Sequence, residues 1–201
     1  GLARQLDYNQ NNRKDFIAGT QNMRVHSNGF VKLYSTELDE AFDINDVALN
    51  QMATKAGMSK KYLDKMRDGH YSLLSDNFNY WFENTPQPQM VRTLDGQVIA
   101  FLSDKYKRVD NYEIAKVVLP VLEEKGYVVK SCAITPTKMH IKAVLPTLER
   151  EVTTGDVVQA GVIISNSEVG DGSVSVAPFI YRLICLNGMT VNDARLNSRH
   201  L

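Results

Sequence analysis

MVRTLDGQVIAFLS, residues 90–103, decides the fold class. Two apolar runs, MVRTL and QVIAFLS, flank the pair Asp95-Gly96. Such a pair between β-prone runs signals a two-residue hairpin turn, because glycine accepts the positive φ that turn requires. Downstream, YVVKSCAIT (127–135), KMHIKAVL (138–145) and VVQAGVIISNS (157–167) read as further strands, with Thr135-Pro136-Thr137 as a turn. SVSVAPFIYRLICLN (173–187) mixes strand and helix character, and its apolar half, PFIYRLICL, reads as core. One helix interrupts the strands. Asp110 or Asn111 caps it, Ile114, Val117, Val118, Val121 and Leu122 share a face, and Gly126 closes it. Pro120 falls inside and is expected to kink or split it. Adjacent strands with one or two packed helices make residues 89–201 an α+β domain on a curved, largely antiparallel sheet.

Upstream of that domain, Thr85-Pro86-Gln87-Pro88 reads as a linker. Residues 43–85 form a helical, helix-turn-helix-like segment. Asp43 or Asn45 caps a helix that runs to about Ala56, Ser59 caps a second that ends at Asp68-Gly69, and a third covers 72–83. In that third helix Trp81, Tyr80 and Phe82 read as core rather than as a stacking platform. Residues 1–42 hold an N-terminal arm and a hairpin. Positions 1–24 are polar, with a weak helix signal, and read as a loose arm; VHSNGFVKLY (25–34) is the hairpin, turning at Asn28-Gly29.

Composition bounds the function classes. Apolar residues make up 43% and charged residues 23% of 201, which is ordinary for a globular chain that buries a real core. Lys plus Arg and Asp plus Glu are 23 each, so a globally basic DNA-coating protein is excluded, although a local basic face is not. Cys132 and Cys185, the two cysteines, make neither a metal cage nor a disulfide framework and read as reduced, buried thiols. No apolar run reaches the roughly 18 residues that span a bilayer, and no signal peptide is visible. The start at Gly1 reads as a processed N-terminus, and the chain is expected to continue past Leu201.

Three segments carry candidate chemistry. In ALNQMATKAGMSKKYLDKMRDG (48–69), Ala53 is the small residue where two helices touch, Gly57 sits in the turn, and Leu63 packs the second helix back. Lys60, Lys61, Lys65 and Arg67 then lie where a recognition helix meets phosphates or bases. An ordinary helical hairpin with solvated lysines fits the same pattern. In FLSDKYKRVDN (101–111), strand alternation places Lys105 and Lys107 on one face and Tyr106 and Arg108 on the other. Cations around an aromatic ring suit a single strand, because charge meets the backbone while bases stack on the ring. A strand end with solvated lysines is the alternative. In SNSEVGDGSVS (165–175), Gly170 and Gly172 frame Asp171 in what reads as a shaped turn, with the wrong glycine pattern for a phosphate loop. A carboxylate metal site from Glu168, Asp171 and Asp110 is a further alternative. His26, His70, His140 and His200 have no ligand spacing.

Two long blocks, MVRTLDGQVIAFLSDKYKRVDN (90–111) and ISNSEVGDGSVSVAPFIYRLICLNGM (164–189), resemble the hallmark blocks of a domain of unknown function. That domain is widespread in phage, prophage and plasmid genomes and is often labelled phage/plasmid-like protein. The resemblance covers about 90–190 and implies a mobile-element origin and a bacterial cytoplasm, without implying a mechanism. Its matching polar positions here are Arg92, Ser103, Asp104, Tyr106, Arg108, Asp110 and Asn111, then Asn166, Ser167, Glu168, Arg182 and Asn187. Such positions form either a shared surface or a buried hydrogen-bond network.

The expected function is nucleic-acid binding, single-stranded DNA above all, in phage or plasmid recombination or replication. The outline of a curved antiparallel sheet with helices is similar to that of single-strand annealing proteins, an analogy of fold alone. The expected contact residues are Arg92, Lys105, Tyr106, Lys107, Arg108, Arg182, Lys60, Lys61 and Lys65. No catalytic residue, metal or cofactor is expected, a homo-oligomer is, and no membrane partner. A second reading is a non-catalytic protein that modulates a host defence or replication factor, and a third is a metal-dependent nuclease.

Overall fold

The computed structural model describes residues 1–27, 30–153 and 156–183. The chain is α+β, with five α-helices and two sheets among those residues. It divides into two units, Ala3–Arg108 and Val109 onward.

The first unit opens with helix α1 (Leu2–Asn12) and strand β1 (Arg13–Gly19), not with a loose arm. The helix signal is weak in sequence because α1 buries a single described side chain, Leu6. Its place is fixed from outside, in part by the Tyr8 hydroxyl, which donates to Asp95 Oδ1 at 3.0 Å. Strands β2 (Met23–Ser27) and β3 (Val31–Ser35) form the expected hairpin, whose Asn28-Gly29 tip lies outside the described residues. Strand β4 (Glu40–Ile44) follows, a strand that no sequence signal marked.

Helix α2 (Asp46–Lys55) starts where Asn45 Oδ1 accepts from Ala48 N at 2.8 Å. Helix α3 (Lys60–Arg67) starts likewise at Ser59, whose side chain accepts from Tyr62 N. Gly57 turns the chain between them with φ of +70°, a conformation costly for any residue with a Cβ. Helix α4 is Tyr71–Asn84. Thr85 to Gln87 then lead into β5 (Pro88–Leu94), which turns at Asp95-Gly96 into β6 (Gln97–Ser103) as the sequence predicts.

These strands form one six-stranded sheet in the order β1-β5-β6-β4-β3-β2. All its pairings are antiparallel except the short β4–β6 pair, where Asp43 meets Gln97 and Ile44 meets Val98. Met23, Val25, Leu33, Phe42, Val91, Val98 and Phe101 from the sheet pack with Leu49, Met52, Leu63, Leu74 and Phe78 from the helices. Each large side chain buried there contributes roughly 1.5–3 kcal/mol. Phe82 stacks on Phe101 with ring centroids 5.7 Å apart, while Tyr80 and Trp81 are exposed, so only one of these three aromatic residues is core.

The second unit opens with α5 (Asn111–Glu124), an uninterrupted helix that carries Pro120 on its exposed side. Four antiparallel strands follow: β7 (Val128–Ile134), β8 (Met139–Thr153), β9 (Asp156–Asn166) and β10 (Ser175–Leu183), in the order β10-β9-β8-β7. Period-two alternation puts Met139, Ile141 and Ala143 on one face, all fully buried. Gly161 lets the Phe179 ring lie flat against the sheet, since a Cβ there would sit 2.6 Å from both Phe179 Cε1 and the Ala143 carbonyl oxygen. On β10 itself Val176 and Ile180 are 66% and 69% exposed, so the expectation that PFIYRLICL is core does not hold for its described part.

Candidate nucleic-acid interface

The strand expected through Lys105 to Arg108 ends at Ser103. Ser103 closes it with a turn of its own: its Oγ accepts from Lys105 N at 3.3 Å and its carbonyl accepts from Tyr106 N at 2.9 Å. Residues 104–108 are therefore a turn and an extended loop, and the two-faced arrangement read from alternation is absent. Lys105 and Lys107 are exposed and Tyr106 is half-buried.

Arg108 and Arg92 converge on one carboxylate. Asp15 Oδ2 lies 3.0 Å from Arg92 Nη2, 3.1 Å from Arg92 Nε and 3.0 Å from Arg108 Nη1. Arg92 is fully buried and the Asp15 side chain is 6% exposed, whereas Arg108 is half exposed. Two strands and a loop build this cluster: β1 brings Asp15, β5 brings Arg92 directly opposite it, and the loop after β6 brings Arg108. Burial withdraws Arg92 from any surface role and makes it a structural cation. No signal in the sequence joined Asp15 to Arg92, because 77 positions separate them.

On α3 the four cations divide. Lys60 holds Asp64 at 3.0 Å, one helical turn on, and Arg67 holds Asp46 of α2 at 2.8 Å. Lys61 and Lys65 are exposed and take no carboxylate among the described residues. The Arg67–Asp46 pair ties the two helices together across the Gly57 turn, which gives this segment a structural role whatever else it does. Arg182, on β10, holds Asp156 at 2.9 Å across the β9–β10 pair.

The polar positions of the two blocks meet inside the second unit. Glu168 Oε1 accepts from the backbone N of Asn111 at 2.7 Å, at the first residue of α5. Asn166 Nδ2 donates to Asn111 Oδ1 and to the Val109 carbonyl, both at 2.9 Å. Ser167 Oγ accepts from Asp171 N at 2.9 Å and from Val169 N at 3.3 Å, shaping the Gly170–Gly172 turn. Asn111, Asn166, Ser167 and Glu168 are all buried. Of the two roles open to these positions, the hydrogen-bond network is the one formed. A carboxylate also suits a helix N-terminus, where unpaired N–H groups carry partial positive charge. Glu168, Asp171 and Asp110 do not form a metal cage: among the described residues no three His, Cys, Asp or Glu side chains group to hold an ion.

Residues 98–200, just over half of the chain, match the family model described as Domain of unknown function (DUF932). The chain belongs to this family. The DUF932 match takes in the whole second block and the first block from Val98 on, and so contains the Asn111–Asn166–Glu168 network complete. No curated protein and no solved structure matches the chain. No helix among the described residues is long and apolar enough to cross a membrane.

Proposed function

We propose that this chain binds nucleic acid, single-stranded DNA by preference, in the recombination or replication of a phage or plasmid. The observation that supports it is a division among the cations of the first unit. Lys32, Lys60, Arg24, Arg67 and Arg108 are held by carboxylates. Lys61 and Lys65 on α3, and Lys105 and Lys107 in the loop beside half-buried Tyr106, keep free ammonium groups among the described residues. An unpaired ammonium contributes its full charge to a phosphate, whereas a paired one must first release its partner. The mobile-element setting rests on the two sequence blocks, and a bacterial cytoplasm and a homo-oligomer belong to the same reading.

Titration of a labelled single-stranded oligonucleotide by fluorescence anisotropy tests this. Binding is expected at low salt and weakens steeply as salt rises. Replacing Lys105 and Lys107 by Ala lowers the slope of log K against log salt by about 1.4, from roughly 0.7 per lost phosphate contact. Lys60→Ala changes it less, since Asp64 already neutralises that charge. Absence of binding at low salt overturns the proposal.

A second reading, an interaction protein that modulates a host factor, is favoured by the exposed apolar side chains of the second unit, Val117 and Val121 on α5 and Val176 and Ile180 on β10. Capture of one defined host protein by a chain that fails to bind oligonucleotides decides for it.

A further inference from the structure

On one face of the second unit's sheet, the register aligns side chains from all four strands. Ala177, Ile163, Lys142 and Ser131 lie in one row, and Phe179, Gly161, Val144 and Val128 in the next. Residues paired across strands point to the same side. The reverse side carries Met139, Ile141 and Ala143, all fully buried. On this side Ser131 and Ala177 are exposed, and Lys142 and Phe179 half-buried. Phe179 lies flat over Gly161, so the second surface of its ring faces away from the sheet. Tyr181 stands upright beside it, with ring centroids 6.5 Å apart at 86°. Lys130 of β7 reaches over the sheet and brings its ammonium 5.7 Å from the centre of the Tyr181 ring. Neither Lys130 nor Lys142 takes a carboxylate among the described residues. Glu149 and Glu151 lie toward the opposite end of β8 from Lys142, and the Gln159 amide holds Glu149 at 2.8 Å.

We propose that this face is a base-stacking platform for single-stranded DNA. One base lies on the open surface of Phe179 with Tyr181 as its side wall, and the flanking phosphates meet Lys130 and Lys142. A flat ring accepts any base, because every base has a π-face, and free ammonium groups suit the backbone beside it. Aromatic rings on an open sheet face are one of the forms in which proteins take unpaired strands. Glu149 and Glu151 repel phosphates, which turns the strand away from their end of β8. The choice of partner rests on the nucleic-acid reading above, whereas the place is separate from the first-unit lysines named there.

Anisotropy titrations of the whole chain with two labelled strands of equal length, one bearing bases and one made of abasic sites, test this. Both carry the same phosphates, so the lysines bind both and the platform favours the first. The base-bearing strand is expected to bind at least about fivefold tighter. Phe179→Leu and Tyr181→Ala each remove that preference and leave abasic binding unchanged, whereas a variant that fails to fold weakens both. Replacing Lys130 and Lys142 by Ala weakens both strands and lowers the salt slope by about 1.4, from roughly 0.7 per lost contact. Photocrosslinking of an iododeoxyuridine strand to the unaltered chain, mapped by mass spectrometry, is expected to mark Phe179 or Tyr181. Base preference that survives Lys105→Ala with Lys107→Ala and disappears in Tyr181→Ala upholds the platform and removes the loop lysines from the reading above. Binding that those two lysine replacements abolish, with Phe179→Leu and Tyr181→Ala unchanged, upholds the lysines and overturns the platform. Equal binding of the two strands by the unaltered chain, or crosslinks confined to the first unit, also overturns it, and absence of any binding at low salt overturns both.

Discussion

Glu168 accepts the backbone N–H of Asn111 across 57 positions of sequence, at 2.7 Å, inside the second unit. A loop after the third of its four described strands thereby caps the helix that precedes them. Glu168→Ala leaves a buried N–H without this acceptor, a loss of about 1–3 kcal/mol. Glu168→Gln keeps an oxygen in place and recovers most of it. Urea unfolding of the two variants gives the difference, and equal stabilities contradict this account of the cap.

Asp15 anchors Arg92 and Arg108 through one oxygen, and the two arginines differ in burial. Asp15→Ala removes a charged partner from a fully buried guanidinium and is expected to cost about 3–5 kcal/mol. Arg108→Ala removes a half-exposed partner and costs under about 1 kcal/mol. Denaturant midpoints of the two variants should therefore be widely separated. The asymmetry also keeps Arg108 available for mutational tests of binding, since its loss leaves the fold intact.

Gly161→Ala places a methyl 2.6 Å from the Ala143 carbonyl oxygen, which belongs to the neighbouring strand and cannot swing aside. Overpacking of this kind costs about 1–3 kcal/mol. Removing the Phe179 ring in the double variant relieves only one of the two clashes, so Phe179→Ala does not restore stability. Thermal unfolding of the single and double variants checks this.

Burial pushes the Cys132 thiol above its ordinary value of 9.0. The unfolded chain then ionises first. The stabilising contribution is present below the unfolded pKa and is lost as pH rises through the folded one. Alkylation by iodoacetamide, measured on a Cys185→Ser background, should be slow at pH 8 and still accelerating above pH 9. A rate that levels off below pH 8.5 is the contrary outcome.

What the sequence reveals is local. Asn45, Ser59 and Gly57 announce two helices and the turn between them, because a cap acts within three or four residues. Asp95-Gly96 announces its hairpin for the same reason. The arm is different: Arg13 to Gly19 become a strand only because β5 lies beside them, 75 positions from Phe16 to Val91, and nothing in the polar run itself says so. The basic loop misled in the opposite way. Its alternation of Lys105, Tyr106, Lys107 and Arg108 imitates a strand, yet Ser103 diverts the chain with its own side chain before the pattern begins. Of the nine expected contact residues, Lys61, Lys65, Lys105 and Lys107 keep exposed ammonium groups that are unpaired among the described residues. Arg92, Lys60, Arg108 and Arg182 are engaged with carboxylates, a distinction that only the folded chain reveals.

The placing of β5 and β6 between β1 and β4 governs the order of assembly. On a ribosome, β1 emerges early but has no neighbour until β5 follows, and β4 waits for β6. The sheet of the first unit cannot close until synthesis passes Ser103, which leaves open strand edges exposed to the chaperones and proteases of the cell in the meantime. Cutting the gene at the Pro86–Pro88 segment, where the sequence invites a cut, would leave β1 permanently without its partner and β4 paired with β3 alone. A fragment meant to fold alone must run through the end of β6.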